Sequence, residues 1–200
     1  SKSAFNFMKG FLLLEDNSLY EGEAFGASIT ACGEVVFNTS MTGYQEMLTD
    51  PSYSGQIVMP TYPLIGNYGI NDTDIESGRI QVRGFVVREH CDIPSHWQSR
   101  KSLNEYLSIN SIPGISGIDT RSLTRKLRRS GVMMGVLTSE MQVEEAREYL
   151  RAQPSYGNVD FVPEVSVSET YQWNRDKNTN DEGPDIVVVD LGVKYNILRL

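Results

Sequence analysis

The chain has 200 residues, 40% of them hydrophobic, enough for one ordinary core or for one domain plus part of a second, so disorder is excluded as the default. A net charge of −8 argues against nucleic acid unless a basic face is set against that background, and two cysteines, Cys32 and Cys91, do not make a disulfide framework. No apolar run approaches the roughly twenty residues of a membrane span, and SKSAFNFMKG lacks the apolar centre of a signal peptide, so a cytoplasmic protein in a reducing compartment is expected, with Met8 as an alternative start.

Taken in chain order, Phe11 to Glu15, the turn Asp16-Asn17-Ser18 and LYEGEAFG read as a β-hairpin. Strands are expected at Glu34 to Thr39, Gln56 to Pro60, Ile80 to Val87 and Val132 to Thr138. Ser102 with Glu105 makes a capping box ahead of the apolar stripe Leu103, Tyr106 and Leu107. Asp119 or Thr120 opens a second helix, with Leu123 and Leu127 facing inward and Gly131 ending it. A third helix follows Ser139 with Val143, Ala146 and Leu150 on one face, and Pro154 stops it. Strands outnumber helices and come partly in runs. The expected fold class is therefore α/β of an α+β character, a mixed sheet with helices on one side.

Residues 171–184 carry almost no aliphatic side chains and read as a linker. The run Ile186 to Val189 that follows is β-branched throughout, as in a central parallel strand buried on both faces. Gly192 marks a turn and Tyr195 to Leu200 begins a helix, so a second α/β domain is expected to open there and to leave its first strand without a sheet. The expected division is residues 11–170, linker 171–184, and 185–200.

The most polar stretch lies between two apolar strands, EVVFNTSMTGYQEMLTDPSYSGQIV from Glu34. Thr42 and Gln45 suggest a capping box, with Tyr44, Met47 and Leu48 on the inward face of a two-turn helix. Asp50-Pro51 stops that helix, because the residue before proline is driven out of the α region. Ser52 is then left on an exposed corner, with hydroxyl and backbone N–H both free; a serine after proline is ordinarily a polar turn residue.

Other candidate chemistry is sparse. His90 beside Cys91 would point to the opposite face of a strand, and a Cys–His pair needs His90 or His96 within hydrogen-bond reach of a thiol. Cys32 sits before Gly33 in a turn and is expected to be inert. No cluster has the ligands of a metal site. Asp72, Asp74 and Glu76 read as a solvated charge run. Arg121, Arg125, Lys126, Arg128 and Arg129 crowd one short helix, as ordinary capping of its carboxyl end or as a contact surface. VVVDLGVKYN lacks the glycine spacing of a dinucleotide site.

Four blocks together carry a resemblance: GEVVFNTSMTGYQEMLTDPSYSGQIV, YPLIGNYGIN from Tyr62, IPGISGIDTRSLTRKLRRSG from Ile112, and VVVDLGVKYNILR from Val187. The chain resembles the amino-terminal half of the carbamoyl phosphate synthetase small subunit family, from Phe11 onward. That resemblance implies a layered β/β/α domain that docks on a large subunit, followed by the start of a flavodoxin-like glutamine amidotransferase domain. It implies glutamine as the small-molecule substrate, with Ser52, the serine of DPSY, contributing to its site. It places the catalytic Cys, His and Glu beyond Leu200, so no catalytic residue and no cofactor are expected in this chain. ATP and metal ions are expected on the large subunit, in pyrimidine and arginine biosynthesis. The alternative is a non-catalytic docking module; neither nucleic acid nor a membrane is an expected partner, and a plastid stroma is an alternative to the cytoplasm.

Overall fold

The computed structural model describes residues 8–91, 101–173 and 186–199. The strands are β1 Lys9–Leu14, β2 Leu19–Gly26, β3 Ala31–Asn38, β4 Gln56–Pro60, β5 Leu64–Ile65, β6 Gly84–Val86, β7 Glu89–His90, β8 Pro113–Ser116 and β9 Met133–Thr138. The helices are α1 Tyr44–Thr49, α2 Leu103–Ile109, α3 Thr120–Ser130, α4 Val143–Ala152, α5 Val162–Val165 and α6 Tyr195–Leu198.

Seven of the strands close into a barrel in the order β1-β2-β8-β6-β4-β3-β9, and β5 pairs with β7 apart from it. The hairpin has the expected position: Leu12 lies opposite Tyr20, and the Asp16 side chain accepts the Ser18 N–H at 3.0 Å to hold the turn. β3, β4, β6 and β8 run parallel to one another, while β9 is antiparallel to both β1 and β3 and seals the wall. A closed wall has no free edge to pair with another chain.

The two-residue period of each strand sorts side chains between inside and outside. Leu12 and Leu14, Val35, Ile57 and Met59, Val86, Ile115 and Leu137 fill the interior, and Leu123 and Leu127 of α3 close it off. Leu13 and Val136 point outward onto Ala146 and Leu150 of α4. On another outer face Val58, Phe85 and Val87 pack against Tyr44, Met47 and Leu48 of α1 and Leu103 and Leu107 of α2. Helices therefore cover the barrel from separate directions, not from one side of an open sheet. The α/β class stands; the one-sided arrangement does not, because closing the wall gives it an outer surface on every side.

Local signals set the helix ends well. Ser102 and Glu105 form the reciprocal cap of α2, and the Asp119 side chain accepts the Ser122 N–H at 2.9 Å to start α3. The expected strand from Ile80 shortens to Gly84–Val86. Before it, the Gln81 N–H donates to Leu48 O of α1 at 2.8 Å and the Arg83 N–H to Gln56 O at 2.7 Å, so that backbone ties helix and strand together. β8 is not among the expected strands, and all four of its residues are buried.

The β-branched run from Ile186 joins no strand among the described residues, and Val187 is 92% exposed. The expected linker is described only at Tyr171, Gln172 and Trp173.

Leu14 is 1% exposed inside the barrel. Leu14→Ala should cost about 2–5 kcal/mol of unfolding free energy, lowering the urea midpoint at constant slope. Leu19→Ala on the rim, 40% exposed, should leave the midpoint almost where it was.

Candidate functional site

The polar stretch between β3 and β4 is a set of backbone anchors that leads to the exposed corner at Ser52. α1 begins at Gly43, whose φ of 83° needs glycine, and not through a Thr42 side-chain cap. The hydroxyl of Tyr68 accepts the Gly43 and Tyr44 N–H groups at 3.0 and 3.2 Å, and its ring stacks on Tyr44 at 4.3 Å. The Thr42–Gln45 capping box is therefore absent. Gln45 is fully buried instead and pairs with Asn71 at both amide ends: Nε2 donates to Asn71 O at 2.5 Å and Oε1 accepts the Asn71 N–H at 3.0 Å. Thr49 accepts the Glu76 N–H on Oγ1 at 2.9 Å, and its carbonyl accepts from Ser77 Oγ at 2.5 Å.

Asp50 ends α1 in an extended conformation, as the following proline requires, and Pro51–Tyr53 form one 3-10 turn. The Asp50 Oδ1 accepts the Ser52 N–H at 2.9 Å, so that N–H is not free as expected; it caps the turn. Ser52 itself is exposed. Its neighbours are pinned: Tyr53 OH accepts from Asn38 Nδ2 at 2.8 Å, and Ser54 O accepts from Tyr156 OH at 2.9 Å.

Against this corner lies the segment from Asp190. Lys194 Nζ pairs with Asp50 Oδ2 at 2.6 Å. A Cβ on Gly192, whose φ is 106°, would stand 3.3 Å from Pro51 Cβ and 2.9 Å from Val165 Cγ2, so both the backbone angle and the close approach call for glycine. The turn is held from within, since Asp190 Oδ1 accepts the Gly192 and Val193 N–H groups at 2.9 and 2.8 Å and Oδ2 accepts from Tyr171 OH at 2.8 Å. α6 then starts on Glu76, whose Oε2 accepts the Asn196 N–H at 2.9 Å and whose carbonyl accepts the Tyr195 N–H at 2.9 Å. Arg199 donates to Thr73 O and Ile75 O at 3.0 and 2.9 Å.

Two expectations change at this junction. Glu76 is not part of a solvated run; it is buried and receives the start of a helix. The tail is not left loose from Ile186 onward, because residues 190–199 are seated on the barrel domain. Neither was legible locally, since each partner lies more than a hundred residues away.

The other candidates recede. Cys32 lies within β3 opposite Val136, not in a turn, and burial pushes its thiol up to about 11, leaving little thiolate at neutral pH. The His90 ring lies flat on Phe25, with centroids 4.3 Å apart. His96 lies outside the described residues. No group of three metal-ligating side chains occurs among the described residues. On α3, Lys126 pairs with Asp16 at 2.6 Å and Arg128 lies over the Phe37 ring, whereas Arg121, Arg125 and Arg129 face solvent. No described helix is long and apolar enough to cross a membrane.

The family model "Carbamoyl-phosphate synthase small chain, CPSase domain" matches residues 12–137, more than half of the chain. The chain belongs to the carbamoyl-phosphate synthase small chain family. The carbamoyl phosphate synthase small chain of Syntrophotalea carbinolica is 48% identical over 202 residues, a match covering 96% of this chain and 54% of that one. That of Aquifex aeolicus is 49% identical over 197 residues, covering 94% and 53%. The pyrimidine-specific small chain of Halalkalibacterium halodurans is 49% identical over 193 residues, covering 96% and 51%. The chain spans about half the length of these family members.

The seating of residues 190–199 should depend on pH at both ends. The bond to Asp50 raises the Lys194 ammonium above its ordinary 10.5, against the opposing effect of burial, so its contribution is whole below that value and is lost as pH rises through the raised pKa. Burial alone would push Asp190 up, but the Val193 and Gly192 N–H groups and Tyr171 together outweigh it and hold the carboxyl below 3.8. Its contribution is whole above 3.8 and is lost as pH falls through the lowered pKa. The amide resonances of Gly192 and Asn196 should keep native shifts between these limits and move only outside them; movement between about pH 5 and 9 would contradict the assignment.

Proposed function

We propose that this chain is the amino-terminal part of a glutamine-dependent carbamoyl phosphate synthetase small subunit. The subunit hydrolyses glutamine and delivers ammonia to a large subunit. That partner makes carbamoyl phosphate from bicarbonate and two ATP, for pyrimidine and arginine biosynthesis. In this reading residues 11–170, the barrel and its helices, are the layered β/β/α docking domain, 171–184 the linker, and 185–200 the opening of a flavodoxin-like amidotransferase domain. The Cys nucleophile, its His and its Glu belong to that second domain, past Leu200, and this chain alone is expected to be inactive. ATP and metal ions belong to the large subunit. The cytoplasm, or a plastid stroma in an alga or plant, is the expected compartment.

One observation supports this most: the exposed Ser52 lies on a corner whose capping residue, Asp50, is paired at 2.6 Å with Lys194 of the segment that opens the second domain. A serine in that position is suited to reach across a junction. Its hydroxyl donates to a carboxylate or accepts from an ammonium, and glutamine offers both at its amino-acid end. The nucleophile would act at the other end, on the side-chain amide. Ser52 would therefore hold the substrate without taking part in bond breaking.

A docking role is compatible with the same chain and draws on α3. Arg121, Arg125 and Arg129 face solvent on a protein of net charge −8, and an isolated cationic strip suits an acidic partner surface.

In the complete subunit, Ser52→Ala should raise the glutamine KM by roughly ten- to a hundredfold, the worth of a hydrogen bond to a charged group, with kcat close to unchanged. Ammonia-dependent synthesis should survive, which separates a lost contact from misfolding. An unchanged KM would return Ser52 to a plain turn residue. For docking, reversing Arg125 and Arg129 to Glu should slow association with the large subunit and flatten its salt dependence, as read by stopped-flow at several ionic strengths; an unaltered on-rate would leave α3 as a solvated face.

A further inference from the structure

We propose that Asp50 is a positioning residue for the Ser52 corner, tying that corner to the turn at 190–194 so that the serine hydroxyl stands at a fixed place relative to the second domain. This role rests on the glutamine reading of Ser52.

Capping alone does not account for Asp50. The 3-10 turn Pro51–Tyr53 needs one acceptor for the Ser52 N–H, and Asp50 Oδ1 supplies it at 2.9 Å. Serine, threonine or asparagine would do that equally well. The second oxygen is not needed for capping, yet Oδ2 holds Lys194 Nζ at 2.6 Å, with the Asp50 side chain only 12% exposed. Only a carboxylate caps with one oxygen and accepts a full ion pair on the other. Both bonds are made by one rigid planar group on one side chain, so a shift of the 190–194 turn is passed directly to the Ser52 backbone. A partly buried, charge-assisted bond of this kind is costly to break from one side, because it strands the other charge.

Two further contacts restrict the same junction. Gly192 lies against Pro51 and Val165, and Asp190 fixes the conformation of the turn that carries Lys194. On the other side, Tyr53 and Ser54 are anchored through Asn38 and Tyr156. Ser52 is thus held between two fixed bodies while its own side chain stays exposed. A serine that only closed a turn would need none of this.

The test uses the complete small subunit, assayed for glutamine hydrolysis, with Ser52→Ala as the reference. Asp50→Asn keeps the cap acceptor and removes the charge. It should raise the glutamine KM about fivefold or more while kcat stays within about twofold. Lys194→Gln should do the same, and the double variant should be no worse than the more severe single one, the signature of a shared interaction. Lys194→Arg, which keeps the charge, should recover most of the loss. If Ser52→Ala raises KM and the Asp50 and Lys194 variants do not, the positioning role is overturned while the substrate reading stands. Additive losses in the double variant, or a fall in kcat matching the rise in KM, would also overturn it. If Ser52→Ala itself leaves KM unchanged, the substrate reading fails and the positioning role falls with it. Should Asp50→Asn fold poorly, Lys194→Gln alone decides, since that side chain is 41% exposed and its loss leaves the barrel untouched.

Discussion

The structure depends on four parallel strands lying side by side in a closed wall. A parallel neighbour cannot be reached by a tight turn; the chain must leave the end of one strand and travel back, over about a dozen residues or more. β3 and β4 are such neighbours, with Val35 beside Ile57. The stretch from Thr39 to Gly55 is therefore a return path, forced by strand direction and free in its residue choice only where it does not have to be anchored. The same holds between β4 and β6, where the return path contains Tyr68, Asn71 and Glu76.

The two return paths stabilise each other. A segment of this length without regular structure carries many backbone N–H and C=O groups that must be satisfied when buried. Tyr68 serves the first turn of α1, the Gln45 amide serves both groups of Asn71, and Thr49 serves Glu76 and Ser77. The abundance of hydroxyls and amides is thereby explained as hydrogen-bond supply. Against that background the exposed Ser52 stands out, because its neighbours Asp50 and Pro51 meet the incoming segment 190–199.

Elements whose determinants lie within a few residues were readable from the chain: the hairpin around Asn17, the β4 strand, the Ser102–Glu105 cap and the Asp119 start. The helix stop at Asp50-Pro51 was equally local. What escaped depends on distant partners. Thr42 and Gln45 have cap spacing, but Tyr68, 24 positions beyond Tyr44, takes the helix N–H groups and frees Gln45 for burial. Glu76 has the look of a surface acid until α6 arrives from the far end of the sequence. Ile80 to Arg83 has strand composition, yet its N–H groups go to Leu48 and Gln56. The proline after Asp50 marked Ser52 as an exposed corner, whereas the Asp50–Lys194 pair joins positions that no short spacing connects. The Ser52 assignment itself came from resemblance, since a serine after proline carries no such information alone.

The place of β9 in the wall bears on how the chain is made. It is the last barrel strand to leave the ribosome, and it pairs with β1, the first, where Phe11 lies opposite Thr138, as well as with β3. Until then β1 and β3 each present a row of unpaired peptide groups beside apolar side chains, and the wall cannot close from the amino end. Contacts this far apart in sequence are slow to form, and partly closed walls are prone to pair with one another. The nascent chain therefore stays open to such pairing until Thr138 emerges, an interval in which a holding chaperone or a translational pause would help to keep copies apart.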